Sequence, residues 1–381
     1  MRLRAPVEGD FRSRLRGPEV ASRVGLWLGI CFAVAFLTGL VSHVAQQPDP
    51  VVPLPTRPVW GYRVTQGLHV AAGVAAVPLL LVKLWSVFPK LFARPDGWRP
   101  RALAVHGLER LSIAVLVAAA VFQLASGLAN AAQWYPWAFS FRATHYAVAW
   151  VAIGALVVHV AVKLPVIRRA LTGPLDPSPD PEEPGGPSRR SLLRTTWAAT
   201  GVALLTTVGG AVPWLREVSV FATHSGEGPG GVPVNRTARA AGVTATATAG
   251  GFRLAVVHGD RSVSLTRAEL AALTQHEEDL PIACVEGWSA VGRWRGVRVR
   301  DLLALVDAPA RSDVRVVSLQ TRGAFSRTVL QDEYAEDPLT LLALDLDGEP
   351  LSLDHGFPCR IIAPNRPGVL QTKWVTRLEV L

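Results

Sequence analysis

The chain begins with long unbroken apolar runs and ends with short alternating ones. Runs of about twenty apolar residues, the length that crosses a hydrocarbon core, fall at 22–44, 66–88, 108–131, 143–164 and 195–215. They predict five transmembrane helices, the fifth of modest hydrophobicity and rich in Thr, Ala and Gly. The connections read "QQPDPVVPLPTRPVW", "KLFARPDGWRPRALAVHGLER", "QWYPWAFSFR" and "TGPLDPSPDPEEPGGPSRR". The last has the composition of a flexible spacer. Beyond Phe221 the pattern changes to β-branched runs broken by turn residues. "FRLAVVHGDRSVSL" and "LLALDLDGEPLSL" predict hairpins through Gly-Asp and Asp-Gly, "RVVSLQT", "CRIIAP" and "KWVTRLEV" further strands, and "TRAELAALTQ" and "VRVRDLLALV" short helices. The predicted organisation is a basic tail over 1–21, a four-helix membrane domain over 22–170, a linker over 171–191, a fifth span over 192–215 and an α+β, mainly β, domain over 221–381. The last segment is long enough to bury its own core.

Composition agrees with a membrane protein, at 49% hydrophobic and 18% charged residues. The net charge of +9 is explained by where the basic residues sit. The amino-terminal tail holds Arg2, Arg4, Arg12, Arg14, Arg16 and Arg23; the second connection Lys83, Lys90, Arg94, Arg99, Arg101 and Arg110; the fourth Lys163, Arg168, Arg169, Arg189, Arg190 and Arg194. The first and third hold only Arg57, Arg63 and Arg142. Positive charge stays cytoplasmic, so the amino terminus is expected inside and, after five crossings, the carboxy-terminal domain outside. Topology accounts for the arginines, and no nucleic-acid partner is expected. The chain has no Gly-rich nucleotide loop, no Gly-x-Ser-x-Gly nucleophile and no zinc-type cysteine cluster, which excludes nucleotide-driven and hydrolase chemistry.

Five of nine histidines lie in or beside the apolar spans: His43, His69, His106, His145 and His159. Ionisable residues there are costly and tend to be functional. His145 and His159 are fourteen residues apart, about 21 Å of helical rise on nearly one face. That spacing suits two haems stacked across a bilayer. His69 is expected level with His145, and His106 with His159, with His43 a spare and Lys83 placed to meet a haem propionate. The other reading is that span-end histidines hydrogen-bond interfacial water. Over about 20–170 the chain resembles the bacterial membrane cytochromes b, di-haem bundles that pass electrons between quinone and a partner. The resemblance implies two b haems and a quinone or a redox partner protein.

Of the three cysteines, Cys31 sits in an apolar run as a small hydrophobe. Cys284 and Cys359 share the domain expected outside, where a disulfide is the default. Their surroundings are "LPIACVEGWSAVGRWRGVRVRDLL" and "LDHGFPCRIIAPNRPGVLQTKWV". These segments resemble the sulfite oxidase family of molybdopterin enzymes, with "CVEGWS" nearest its periplasmic methionine sulfoxide reductase branch, over most of 231–381. The resemblance implies that Cys284 is the thiolate ligand of molybdenum and the catalytic residue. It implies that Arg360 and Lys373 grip the cofactor phosphate, that Asn235, Thr321 and His355 contact the cofactor, and that Gln371 and Thr372 offer backbone contacts. Ala283 stands where relatives often have Arg, and the Cys-Ala-Gly-Asn-Arg-Arg run of sulfite oxidases is absent. The anion pocket of a sulfite oxidase is therefore not carried over; Arg293 and Arg295 either substitute for it or are solvated.

"SRRSLL" before the fifth span resembles a twin-arginine signal kept as an anchor; a positive-inside cluster is the other reading. A cofactor inserted in the cytoplasm requires export of a folded domain, which implies the twin-arginine export machinery and a bacterial cytoplasmic membrane. The expectation is a membrane oxidoreductase that passes electrons through b haems to an outer molybdenum centre and reduces a sulfoxide or similar small molecule. The alternatives are sulfite-type oxidation in reverse, or a haem conduit whose outer domain lacks metal, docks a partner and pairs Cys284 with Cys359.

Overall fold

The computed structural model describes residues 7–11, 13, 15–93, 95, 97, 99–176, 187–222 and 231–381. Arg2, Arg4, Arg12, Arg14 and Arg94 of the charge count and residues 177–186 of the linker lie outside the described residues. The chain divides into two units, one of residues 1–37, 68–208 and 218–221, the other of 38–67, 209–217 and 222–381.

The first unit is helical. Its helices are α1 (Pro18–Ala45), α2 (Gly61–Val87), α3 (Pro100–Ala131), α4 (Phe141–Thr172) and α5 (Arg189–Thr207). The turn leading into α2, and the end of α1, belong to the second unit. Pro100 opens α3, where its missing N–H costs nothing, and Ser188 caps α5 by accepting from Ser191 N–H. α1, α2 with its 3-10 extension, α3 and α4 are long and apolar enough to cross a membrane. They expose Leu37, Leu81, Leu108, Leu111, Val157 and Val162, a surface suited to lipid tails. α5, the expected fifth span, is not among the helices that pass on length and composition. Arg189, Arg190 and Arg194 in its first turns lower its hydropathy most, and its threonines add to that; the hydroxyls of Thr196, Thr200 and Thr206 each donate to the carbonyl four residues back at 2.8 Å. Leu192 and Leu193 of α5 pack with Val20, Val24 and Leu79 of α1 and α2.

The second unit is built on two sheets. Its strands are β1 (Leu254–His258), β2 (Arg261–Leu265), β3 (His276–Ala283), β4 (Ser289–Arg298), β5 (Val314–Ser318), β6 (Arg327–Leu330), β7 (Leu341–Leu346), β8 (Glu349–Pro350), β9 (Arg360–Ile362) and β10 (Val375–Val380). One sheet runs β2-β1-β10-β5-β6; the other runs β3-β4-β7-β8, with β9 also on β7. β1–β2 and β7–β8 are the hairpins through Gly259-Asp260 and Asp347-Gly348. β3 and β6 carry no strong alternation in sequence and are held by pairing to β4 and β5. Leu254, Val256, Val316 and Leu378 of the first sheet share a core with Val297, Leu342, Leu344 and Ile361 of the second. A second core gathers Cys284, Trp288, Trp294 and Ile362 beneath β3, β4 and β9.

The connection between α1 and α2 is part of this unit. Pro-rich chain has few N–H donors and many carbonyls, and it binds by accepting. Pro48 O takes Val329 N–H (2.9 Å), Leu54 O takes Tyr334 Oη (2.8 Å) and Pro55 O takes Asn365 Nδ2 (2.7 Å). Arg57 adds an ion pair to Asp337 at 2.8 Å.

β4 and β7 approach most closely at Gly296, beside a register shift between Arg295 and Gly296. A Cβ there would lie 2.1 Å from Leu342 O. Gly296→Ala is expected to destabilise the β domain by about 3 kcal/mol through overpacking, lowering Tm by roughly 6–12 °C; thermal unfolding of the purified variant checks this.

Candidate functional site

Cys284 follows β3 and opens the turn to β4. Its N–H donates to Trp288 O (2.9 Å) and its carbonyl accepts from Gly287 N–H (3.0 Å); Gly287 sits at φ +82°, where a side chain is disfavoured. The thiol is buried. Glu286 Oε2 accepts from Trp288 Nε1 at 3.0 Å and from Cys284 Sγ at 3.8 Å. Burial first, and the Glu286 charge second, push the thiol pKa up, so the bare site holds a thiol rather than a thiolate. A bound metal cation reverses that balance, because coordination deprotonates a thiol outright.

Two cations share the cavity with Cys284. Arg360, on β9, is buried; it donates through one terminal nitrogen to His355 O and through the other to Gln371 O, both at 3.0 Å. Its Nε has no hydrogen-bond partner, and its guanidinium lies 5.0 Å from the ring centre of Trp294. Lys373 Nζ donates to Asn235 Oδ1 (3.3 Å), to Asp354 O (3.0 Å) and to Arg236 O. Burial lowers Arg360 to about 9; burial first and Arg360 second lower Lys373 to about 7. Among the described residues neither cation has a carboxylate ion-pair partner. Desolvated charge left unpaired costs several kcal/mol, and a phosphate-bearing ligand offsets that cost, with Arg360 as a planar fork and Lys373 as a point charge.

The remaining residues expected here divide into liners and braces. Asn235, His355, Gln371 and Thr372 line the same cavity. His355 Nε2–H donates to Val232 O (2.8 Å) and Nδ1 accepts from Ser352 Oγ (2.8 Å); burial lowers its pKa, so it stands as a neutral brace. Gln371 spends its carboxamide on Ala363, accepting from N–H and donating to O at 2.8 Å each, and Thr372 Oγ1 meets Thr328 Oγ1 at 2.9 Å. Thr321 is exposed beyond the end of β5 and lies outside the cavity wall, where Ser318 and Gln320 take its place. Arg293 and Arg295 flank buried Trp294 on β4 and so point outward. Arg293 is paired with Glu277 and Asp279 and Arg295 with Asp345, which corrects the reading of them as a substitute anion pocket. Cys284 and Cys359 are both free; the Cys359 thiol donates to Val375 O at 3.3 Å in the other core, so the expected alternative of a disulfide is not formed. Arg236 and Trp288, which also line the cavity, escaped sequence reasoning although each adjoins a motif.

Among the described residues no three His, Cys, Asp or Glu side chains gather into a metal cage. A single soft thiolate beside an electropositive cradle fits a metal whose other donors arrive with a phosphate-bearing cofactor.

In the helical unit the rings of His69 (α2) and His145 (α4) have centroids 6.4 Å apart. Two His–metal bonds of about 2 Å each plus two half-rings span roughly that distance. His69 Nδ1–H donates to Ala35 O (2.9 Å). His145 Nδ1 meets Ser126 Oγ (3.0 Å), whose own proton goes to Gln123 O. The carbonyl of Ala35 can only accept, so His69 carries its lone pair on Nε2, the tautomer that such a hydrogen bond sets in metal-bound histidine. The ring spacing of the pair would let the two histidines hold one haem iron. His106 (α3) and His159 (α4) are half-buried and are not brought into ring contact with each other. His43 lies in the other unit against Gln47 (3.4 Å), and Lys83 donates to Ala21 O (2.8 Å).

Residues 241–381 match the model of an oxidoreductase molybdopterin binding domain, and residues 26–171 that of prokaryotic cytochrome b561. The chain is 35% identical over 115 residues to the putative protein-methionine-sulfoxide reductase subunit YedZ1 of Azospira oryzae, covering 30% of this chain and 43% of that protein. It is 29% identical over 157 residues to mitochondrial sulfite oxidase of Mus musculus, covering 34% and 29%. With the uncharacterized oxidoreductase YuiH of Bacillus subtilis it shares 28% identity over 121 residues, covering 32% and 60%. The chain thus covers less than two thirds of the length of each of these relatives.

Protonated Lys373 attracts an anion and neutral Lys373 does not. With its pKa at about 7, sulfate affinity of cofactor-free protein is expected to fall about fivefold from pH 7 to pH 8, and Lys373→Gln to remove that slope; titration calorimetry measures both.

Proposed function

We propose that this chain, which joins a cytochrome b561 domain to an oxidoreductase molybdopterin-binding domain, is a membrane-bound reductase that carries electrons from a quinol-type donor to a sulfoxide or similar small oxidised substrate. The observation that carries the reading is the buried Cys284 thiol in one cavity with Arg360 and Lys373, neither of which is ion-paired to a carboxylate among the described residues. The bound cofactors would supply oxygen-atom transfer at molybdenum and one-electron transfer at haem. Reduction of a sulfoxide consumes two electrons and two protons and yields a sulfide and water; a quinol provides both. Cys284 would hold the metal, Arg360 and Lys373 the phosphate with Asn235, and His355, Gln371 and Thr372 keep those groups in place. His69 and His145 would hold one haem, and His106 with His159 a second at the other depth. Sulfite-type oxidation would use the same parts, but Arg293 and Arg295 face away and Ala283 offers no charge. The free state of Cys284 and Cys359 weighs against a metal-free docking domain.

Topology is supported by parity. The α1–α2 connection is one crossing from a cytoplasmic amino terminus, hence outside, and it is hydrogen-bonded into the β domain. Three crossings, α2 to α4, then leave the chain inside, so the domain reaches the outside only if α5 also crosses. Arg189 pairs with Glu19 at 3.2 Å and donates to Leu175 O at 2.9 Å, bonds that suit a signal retained as an anchor.

Molybdenum analysis and a reduced-minus-oxidised spectrum of the detergent-purified protein test the reading. The wild type is expected to carry near-stoichiometric molybdenum and about two haems. Cys284→Ala should lose molybdenum and turnover while keeping the haem spectrum, and His145→Ala should lose haem absorbance; wild-type molybdenum in Cys284→Ala removes the thiolate role. Lysine at both Arg189 and Arg190 preserves the charge that orients the spans, so stranding of the β domain inside, read by protease protection in spheroplasts, separates twin-arginine export from charge alone.

A further inference from the structure

The carbonyl of Cys284 accepts a second hydrogen bond, from Gln66 Nε2 at 3.3 Å, across 218 residues of sequence. Gln66 sits in the first turns of α2 and is 5% exposed. Its Oε1 accepts from Ser42 Oγ on α1 at 3.1 Å. The Cys284 carbonyl can only accept, which sets the sense of the carboxamide, N–H toward Cys284 and oxygen toward the Ser42 hydroxyl that steadies it. Just past the end of α1, and one turn earlier on α2, Gln46 Nε2 donates to Tyr62 Oη at 2.6 Å. Tyr62 N–H in turn donates to Asn365 Oδ1, and Asn365 Nδ2 to Pro55 O. The segment from Ser42 to Gln66 thus grips both the Cys284 turn and the loop after β9, and no motif includes it.

Packing alone does not require a carboxamide here. Val59 of the same segment packs against the core that holds Cys284, and an apolar side chain of the shape of Gln66 would do the same without the cost of burying polar atoms. What the carboxamide adds is direction. With Gly287 N–H it saturates the Cys284 carbonyl and so sets the peptide plane from which the thiol projects.

We propose that Gln66 is a positioning residue for the Cys284 thiolate, oriented by Ser42, and that the α1–α2 connection thereby completes the molybdenum site. The proposal rests on Cys284 being the thiolate ligand.

The test uses the full-length protein in detergent. In cofactor-free protein, Gln66→Met is expected to speed alkylation of Cys284 by iodoacetamide about tenfold, the loss of one buried hydrogen bond, with buried Cys359 unchanged by peptide mass spectrometry. Ser42→Ala, which leaves Gln66 in place, should give a smaller increase. Cofactor-loaded Gln66→Met should retain molybdenum but shift the thiolate-to-metal charge-transfer absorption. Arg57→Ala loosens the same segment at Asp337 and should leave both readouts at wild type. Wild-type alkylation and absorption in Gln66→Met, or an equal change in Arg57→Ala, overturns the proposal. Failure of the ligand reading is a separate result: wild-type molybdenum in Cys284→Ala.

Discussion

Two cations, Arg360 and Lys373, are held beside a buried thiol with no carboxylate ion-paired to either among the described residues. In a chain with 30 acidic residues such an arrangement is a constraint that the surrounding fold has to satisfy. Arg360 is kept in place by two backbone carbonyls and the face of Trp294, and Lys373 by three oxygens, none of them a carboxylate. Neutral acceptors hold the geometry, and Asp354, which lines the cavity, spends Oδ1 on Ala238 N–H at 2.7 Å instead of pairing with either cation. The positive field of the two cations suits the cavity to a phosphate-bearing cofactor, and burial first and Arg360 second lower Lys373 toward neutrality.

The framework around this constraint is stiff. His355 and Gln371 each spend their polar atoms on neighbouring backbone or hydroxyl groups, which fixes the loops before and after β9. Gly296 lets β4 and β7 approach closely, and β4 carries Trp294 inward while turning Arg293 and Arg295 out. Strand alternation thus sorts the charges: one arginine of β9 faces the cavity, while two of β4 meet surface carboxylates. Exposed ion pairs of that kind add little stability; their value is in keeping two more cations out of the site.

The end of α1, the proline-rich connection and the first turns of α2 form one continuous stretch of the second unit. Residues 38–67 leave α1, run as a proline-rich segment across the β domain and enter α2. Because that segment accepts hydrogen bonds from the domain at Pro48, Leu54 and Pro55, a connection that composition marks as a loop is structural.

Sequence alone determined what depends on local or periodic physics. Apolar length located α1 to α4, since crossing hydrocarbon demands about twenty residues whatever the neighbours. Turn chemistry located β1–β2 and β7–β8, and the neighbourhoods of Cys284 and Arg360 marked where cofactor chemistry belongs. α5 was legible as a helix, but its three arginines, with its threonines, keep it from passing as a span on length and composition. Tertiary structure decided the rest. β3 and β6 exist because β4 and β5 pair with them, Thr321 turns outward because β5 ends at Ser318, and Arg236 enters the wall through the fold of its loop. Gln66 meets Cys284 only because the α1–α2 connection is laid across the β domain. A hydrogen bond across 218 residues leaves no periodicity or spacing to read, since the chain between its partners carries no record of where they meet.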